Sequence, residues 1–117
     1  MDSNTIMYLV AAALAAFLVF QRLRSRKAPA ALVREKIAAG AKIIDVRSPG
    51  EFSASSYPKA KNIPLDALPS RLAELPKDKP IVLYCASGAR SAQAVRLLKG
   101  AGYTDVLSAG GLSDMPR

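Results

Sequence analysis

The residues of this chain best suited to chemistry stand together as Cys85-Ala86-Ser87-Gly88-Ala89-Arg90. Before them runs Ile81-Val82-Leu83-Tyr84, an unbroken apolar stretch of the kind buried as a strand in a parallel sheet. After them comes a helix-forming stretch, Ser91 to Lys99, stopped at Gly100. In a parallel α/β sheet, the loops leaving the C-terminal ends of the strands line the binding crevice. A loop of small residues there can curl its N–H groups inward, and with a helix N-terminus behind them these donors form an anion cradle. The same field favours a thiolate over a thiol. Arg90 adds a fixed positive charge at the rim. Cys85 is therefore the expected nucleophile, with Ala86, Ser87, Gly88, Ala89 and Arg90 as its substrate-binding loop. A lone cysteine after an apolar strand is also often a small buried hydrophobe. The glycine and arginine at fixed offsets favour the reactive reading.

The rest of the composition narrows the chemistry. The chain has no histidine and one cysteine. That excludes a Ser-His-Asp triad, a Cys-His dyad, every His-based metal site and an intrachain disulfide. No metal and no organic cofactor is implied. The formal net charge is +8, of which Arg22, Arg24, Arg26 and Lys27 supply four positives in one cluster. The remainder, residues 28–117, carries 13 Lys/Arg against 8 Asp/Glu, dispersed and without interleaved aromatics. This pattern does not favour nucleic acid, and it suits anionic lipid surfaces or small anionic substrates equally well.

The elements that would position Cys85 alternate between strand and helix. Ala30 to Ala39 reads as an amphipathic helix stopped by Gly40, and Lys42 to Val46 as a β-branched strand. Ser48-Pro49-Gly50-Glu51 has the form of a capping box, starting a short helix through Ala54. Lys61 to Ile63 is a short strand. Leu65, Leu68, Leu72 and Leu75 predict a helix up to Leu75, and Asp105 to Leu107 is the last strand. The fold class is α/β, a mostly parallel sheet flanked by helices and preceded by one transmembrane helix.

The cysteine loop resembles the C-x-x-G-x-R pattern of the rhodanese family. Asp45-Val46-Arg47-Ser48-Pro49-Gly50-Glu51-Phe52 is similar to that family's D-V-R-x-x-x-E-[FY] signature, Asn62-Ile63-Pro64 to its N-I-P segment, and Gly110-Gly111 to its paired glycines. The resemblance runs over about residues 30–115 and implies a rhodanese fold for 28–117. It further implies a persulfide mechanism, in which Cys85 takes the outer sulfur of thiosulfate or a persulfide donor and passes it to a thiol or cyanide. Loop length separates this from related phosphatase and arsenate reductase folds, whose Cys-x5-Arg ring surrounds a tetrahedral oxyanion. Here four residues lie between Cys85 and Arg90. Asp45 is expected as a structural carboxylate holding loop N–H groups or Arg90. Arg47 and Glu51 are expected as an ion pair, with Arg47 also placed to attract an anionic donor. Ser87 is expected either to hydrogen-bond the bound sulfur or simply to suit the loop, and Tyr57 and Tyr84 to pack. The chain departs from the family at Ser55 to Ala60, where the family's G-H-I-P-G-A segment would fall. It also lacks the tryptophan after the paired glycines and the further C-terminal helix.

At the other end of the chain, Ile6 to Phe20 is fifteen consecutive apolar residues. Extended from Thr5 to Leu23, it makes a helix of about 28 Å, close to the ~30 Å hydrocarbon core of a bilayer. Residues 1–27 thus read as an anchor and basic juxtamembrane segment. The basic residues on its C-terminal side predict a single-pass inner-membrane protein with its domain in the cytoplasm. A cleaved signal peptide and a buried helix of a soluble protein are the rivals, the first opposed by Asp2 before the apolar run. Two functions follow: a sulfurtransferase acting through a Cys85 persulfide, or a sulfur-carrier or partner-docking module with little thiosulfate activity.

Overall fold

A computed structural model describes residues 2–24 and 27–117. Of the basic cluster, Arg26 lies outside the described residues, as do the side chains of Arg22 and Arg24, while Lys27 is described. The chain runs α1 (Ser3–Arg24), α2 (Ala30–Ala38), β1 (Lys42–Asp45), α3 (Pro49–Ala54), β2 (Lys61–Asn62), β3 (Ile81–Cys85), α4 (Ala89–Gly100) and β4 (Val106–Gly111). The four strands form one sheet in the order β2-β1-β3-β4, every neighbouring pair parallel. Parallel strands need crossovers; α4, between β3 and β4, covers one face, and α2, which precedes β1, covers the other.

The burial follows strand parity. On one face Ile44, Val46, Ile81, Leu83, Cys85 and Val106 pack under α4 through Ala94 and Leu98. On the other, Ile43, Val82, Tyr84 and Ala109 pack against Val33 of α2 and Met115. Strand β3, whose five residues are all buried, lies between the two cores. Burying Leu83, fully enclosed, contributes roughly 1.5–3 kcal/mol. Tyr57 and Tyr84 do pack, edge to face with centroids 6.4 Å apart, and the Tyr57 N–H donates to the Tyr84 hydroxyl at 2.9 Å.

Three expectations about elements need correction. The stretch to Leu75 is not a helix of α type but two 3-10 turns, Leu68–Ser70 and Leu72–Glu74. Pro69 supplies no N–H to continue a helix. The leucines still reach the core, and the Tyr103 hydroxyl donates to the carbonyls of Leu72 and Leu75 to hold the segment. The last strand continues beyond Leu107 to Gly111, with a bulge that puts Ala109 out of register between Ser108 and Gly110. Finally, α4 begins at Ala89 rather than Ser91, so Ala89 and Arg90 belong to its first turn.

Helix α1 joins neither core. Its Ser3–Gln21 window is apolar and long enough to cross a membrane, and none of it is buried. Leu9, Leu14, Phe17 and Phe20 are each more than half exposed, an apolar surface of a kind soluble monomers rarely show.

Candidate active site

Cys85 is the last residue of β3 and exposes no surface. Three residues later Gly88 adopts φ +107 as the N-cap of α4, a left-handed conformation that glycine takes without a Cβ penalty. That turn aims the Gly88 N–H at the Cys85 Sγ, 2.9 Å away. The close fit continues across the sheet. A Cβ on Gly111 would overlap the Ala86 carbonyl oxygen and lie 3.0 Å from its carbon. The second of the paired glycines is therefore required by the approach of the cysteine loop to β4.

Beneath the sulfur lies a network of buried hydroxyls. Cys85 Sγ and Ser91 Oγ are 3.5 Å apart, Ser91 Oγ and Ser108 Oγ 2.7 Å, and the Gly110 N–H donates to Ser108 Oγ at 3.2 Å. Each hydroxyl has one proton. With a neutral thiol, the Ser91 proton can go to the carbonyls of Gly88 or Gly110, at 3.1 and 3.2 Å. With a thiolate, a single ordering satisfies every group: Gly110 N–H to Ser108, Ser108 to Ser91, Ser91 to sulfur. Burial pushes the Cys85 thiol up. The Ser91 hydroxyl and the backbone N–H groups of Ser91, Gly88 and Ser87 outweigh it, so the pKa lies below the ordinary cysteine value.

The charged residues are paired differently from the expectation. Arg47 does not pair with Glu51. Its Nε lies 3.1 Å from both Asp45 carboxylate oxygens and its Nη2 2.7 Å from Oδ2, and its own N–H donates to Oδ1 at 2.8 Å. Nη2 also donates to the Ser55 carbonyl, and the guanidinium sits 5.6 Å from the Tyr84 ring centroid. Asp45 thus holds Arg47, not Arg90. Residues 45 and 47 share a strand face with Tyr84, and alternation puts Cys85 on the other face. Arg47 is buried and committed there, away from the loop it was expected to serve.

Glu51 instead takes Arg90, with Nη1 2.8 Å from Oε1 and Nη2 3.0 Å from Oε2, a bidentate pair. The same carboxylate closes the capping box at Ser48. Arg90 first, then the Ser48 backbone, hold the Glu51 carboxyl down at about 2. One side chain therefore both starts α3 and clamps the end of the cysteine loop. Arg47 and Glu51 lie on either side of the extended Ser48, so standing four apart in sequence does not bring them together.

The structure brings Cys85, Gly88 and Arg90 together, with Ala86, Ser87 and Ala89 exposed around them. Ser87 acts on the sulfur through its backbone N–H. Ser91 and Ser108 are the residues that sequence reasoning missed. The available signal was that Ser91 opens the buried face of α4, and that Ser108 shares its strand face with Val106. No group of three or more His, Cys, Asp or Glu that could hold a metal occurs among the described residues.

Comparison with known proteins agrees with this geometry. The rhodanese-like domain profile matches residues 29–115. A sulfurtransferase of Allochromatium vinosum is 42% identical over 66 residues, covering 56% of this chain and 62% of that protein. The chain thus spans less than two thirds of that relative. The thiosulfate sulfurtransferase PspE of Escherichia coli is 40% identical over 74 residues, 62% of this chain and 71% of its own. A solved rhodanese with anions from E. coli superposes with a TM-score of 0.62 at 38% identity, covering 66% of this chain and 95% of that one. With its parallel sheet and cysteine loop, the chain belongs to the rhodanese-like domain family, whose relatives include named thiosulfate sulfurtransferases.

Proposed function

We propose that the protein is a membrane-tethered sulfurtransferase that carries sulfane sulfur on Cys85. The observation that supports this most is the sulfur itself, ending a buried strand in contact with the Gly88 N–H and the Ser91 hydroxyl. The Cys85 thiolate attacks the outer sulfur of thiosulfate; the S–S bond of the donor breaks and its electron pair leaves with sulfite. The enzyme then holds Cys85–S–S⁻. Cyanide or a thiolate attacks the outer sulfur, and Cys85 departs as thiolate. Both steps are redox-neutral overall and need no added proton. Because Cys85 exposes no surface, the donor reaches it by displacing the exposed loop residues Ala86 and Ser87. The N–H groups at the start of α4 then face the new terminal sulfur and stabilise its charge. Residues 28–117 form the catalytic domain in this reading, and residues 1–27 the anchor that holds it at the cytoplasmic face of the membrane.

The test is sulfite release from thiosulfate with cyanide as acceptor, together with the intact mass of the protein after exposure to donor. The wild type gains one sulfur atom on Cys85 and turns over; Cys85→Ser does neither. A Cys85→Ser variant with full activity removes the mechanism. Wild-type protein that gains the sulfur but barely turns over thiosulfate instead supports a sulfur carrier serving another donor.

A further inference from the structure

The end of the anchor is tied to the rim of the cysteine loop. Lys27 lines an open depression of roughly 470 Å³ together with Ser87, Gly88, Ala89 and Arg96. Its Nζ is 2.7 Å from Asp114 Oδ1, and the next residue, Ala28, donates its N–H to the Ser108 carbonyl at 2.7 Å. Ser108 is the serine that bonds Ser91 behind the sulfur. Ala28 is thus fixed to the strand that carries Ser108, and Lys27 to the turn that follows that strand.

Only three peptide steps separate Lys27 from Arg24, the last residue of α1. At 3.8 Å between consecutive Cα atoms, their separation is at most about 11 Å whatever path the chain takes. Headgroups occupy roughly 5–8 Å on each side of a bilayer's hydrocarbon core. With α1 spanning the membrane, the depression beside the loop cannot leave the neighbourhood of that layer. Its charge suits the location. Asp114 neutralises Lys27 at its edge, so the net charge of the depression comes from Arg96, which is exposed and has no ion-pair partner among the described residues. Arg22, Arg24 and Arg26 continue the positive charge in sequence. A second depression, lined by Lys42, Lys59, Lys61 and Lys79 with Glu74 paired to Lys61, lies at the N-terminal ends of the strands. It is about 16 Å from the loop, a five-residue strand's length, and on the far side from Lys27.

We propose that the tether holds the mouth of the Cys85 loop against the anionic headgroup layer, so that the acceptor of its sulfur is a thiol displayed at the membrane surface. This rests on the reading of α1 as a membrane span and of Cys85 as the sulfur carrier. In the transfer, the displayed thiolate attacks the outer sulfur of Cys85–S–S⁻, the Cys85 S–S bond breaks, and a persulfide forms on the acceptor.

The experiment uses the full chain in phosphatidylcholine vesicles, with or without phosphatidylglycerol, that contain a small fraction of a lipid with a thiol headgroup. Cys85 is loaded from thiosulfate, excess donor is removed, and discharge is followed by intact mass. A matched protein carries a Gly/Ser spacer of about twenty residues after Arg24, a coil spanning roughly 25 Å. The spacer is expected to slow discharge to the lipid thiol about tenfold through the fall in effective concentration. Discharge to soluble cyanide stays unchanged. Lipid-thiol discharge is expected to be faster with phosphatidylglycerol than without it, and Arg96→Glu to abolish that difference. Equal lipid-thiol rates with and without the spacer, in protein that resists alkali extraction, overturn the proposal while leaving the anchor and the chemistry standing. Release by alkali overturns the anchor, and with it this proposal; failure of cyanide to discharge Cys85 overturns the sulfur-carrier reading. If Arg96→Glu raises the thiosulfate concentration needed for loading without altering the vesicle dependence, the depression serves a soluble anionic donor, and the proposal falls.

Discussion

Ser91→Ala tests whether the buried hydroxyls set the reactivity of Cys85. The substitution removes the oxygen 3.5 Å from the sulfur and leaves the Gly88 N–H, 2.9 Å away, in place. Hydrogen bonds to charged groups contribute about 1.5–3 kcal/mol. A 3.5 Å contact to a large, diffuse anion belongs at the lower end, near ~1.5 kcal/mol. Since one pKa unit corresponds to about 1.4 kcal/mol, the Cys85 pKa should rise by roughly one unit. Below the pKa the thiolate population, and any rate that depends on it, then falls about tenfold. The assay is the rate of alkylation by iodoacetamide as a function of pH; Cys85 is the sole cysteine, so no other thiol contributes. The wild-type midpoint should lie below that of an ordinary cysteine and the variant's above the wild type's. Ser108→Ala removes the donor to Ser91 but keeps the Ser91 hydroxyl. Its midpoint should move the same way by less. An unchanged midpoint in a Ser91→Ala protein that melts with the wild type would refute the argument.

Gly111→Ala should displace the Ala86 carbonyl and the loop it leads, costing about 1–3 kcal/mol of stability as overpacking and most of the sulfite-release activity; a urea titration beside the activity assay checks both. Asp45→Ala strands the buried Arg47 guanidinium and should cost about 3–5 kcal/mol in urea unfolding. It should leave the Cys85 alkylation midpoint in place, because the pair lies on the opposite sheet face. The Glu51 carboxyl, held from 4.5 down to about 2 by Arg90 and then by the Ser48 backbone, contributes stability that is complete above its unfolded pKa. That contribution is lost as pH falls from about 4.5 towards 2. Glu51→Gln should flatten the pH dependence of stability in that window; an unchanged acid limb would show that the pair contributes nothing.

The strand, glycine turn and helix around Cys85 were legible in the sequence because they are local, while which N–H groups reach the sulfur came from the structure. The capping box at Ser48 was legible for the same reason, and the structure contains both of its hydrogen bonds. The apolar α1 was plain from composition. The helix expected up to Leu75 failed because leucine spacing reports which side is buried and does not separate an α-helix from successive 3-10 turns.

Only the tertiary structure decided the pairing of charges and the support beneath the sulfur. Arg47 and Glu51 are four apart in sequence, yet a strand–helix join sends one to Asp45 and the other to Arg90, thirty-nine residues away. Ser91 and Ser108 meet because β3 and β4 are parallel neighbours and α4 packs over them. Spacing within one element reveals a motif that the element itself closes. Contacts made across a sheet depend on register and face, and those are set by the burial of the whole chain.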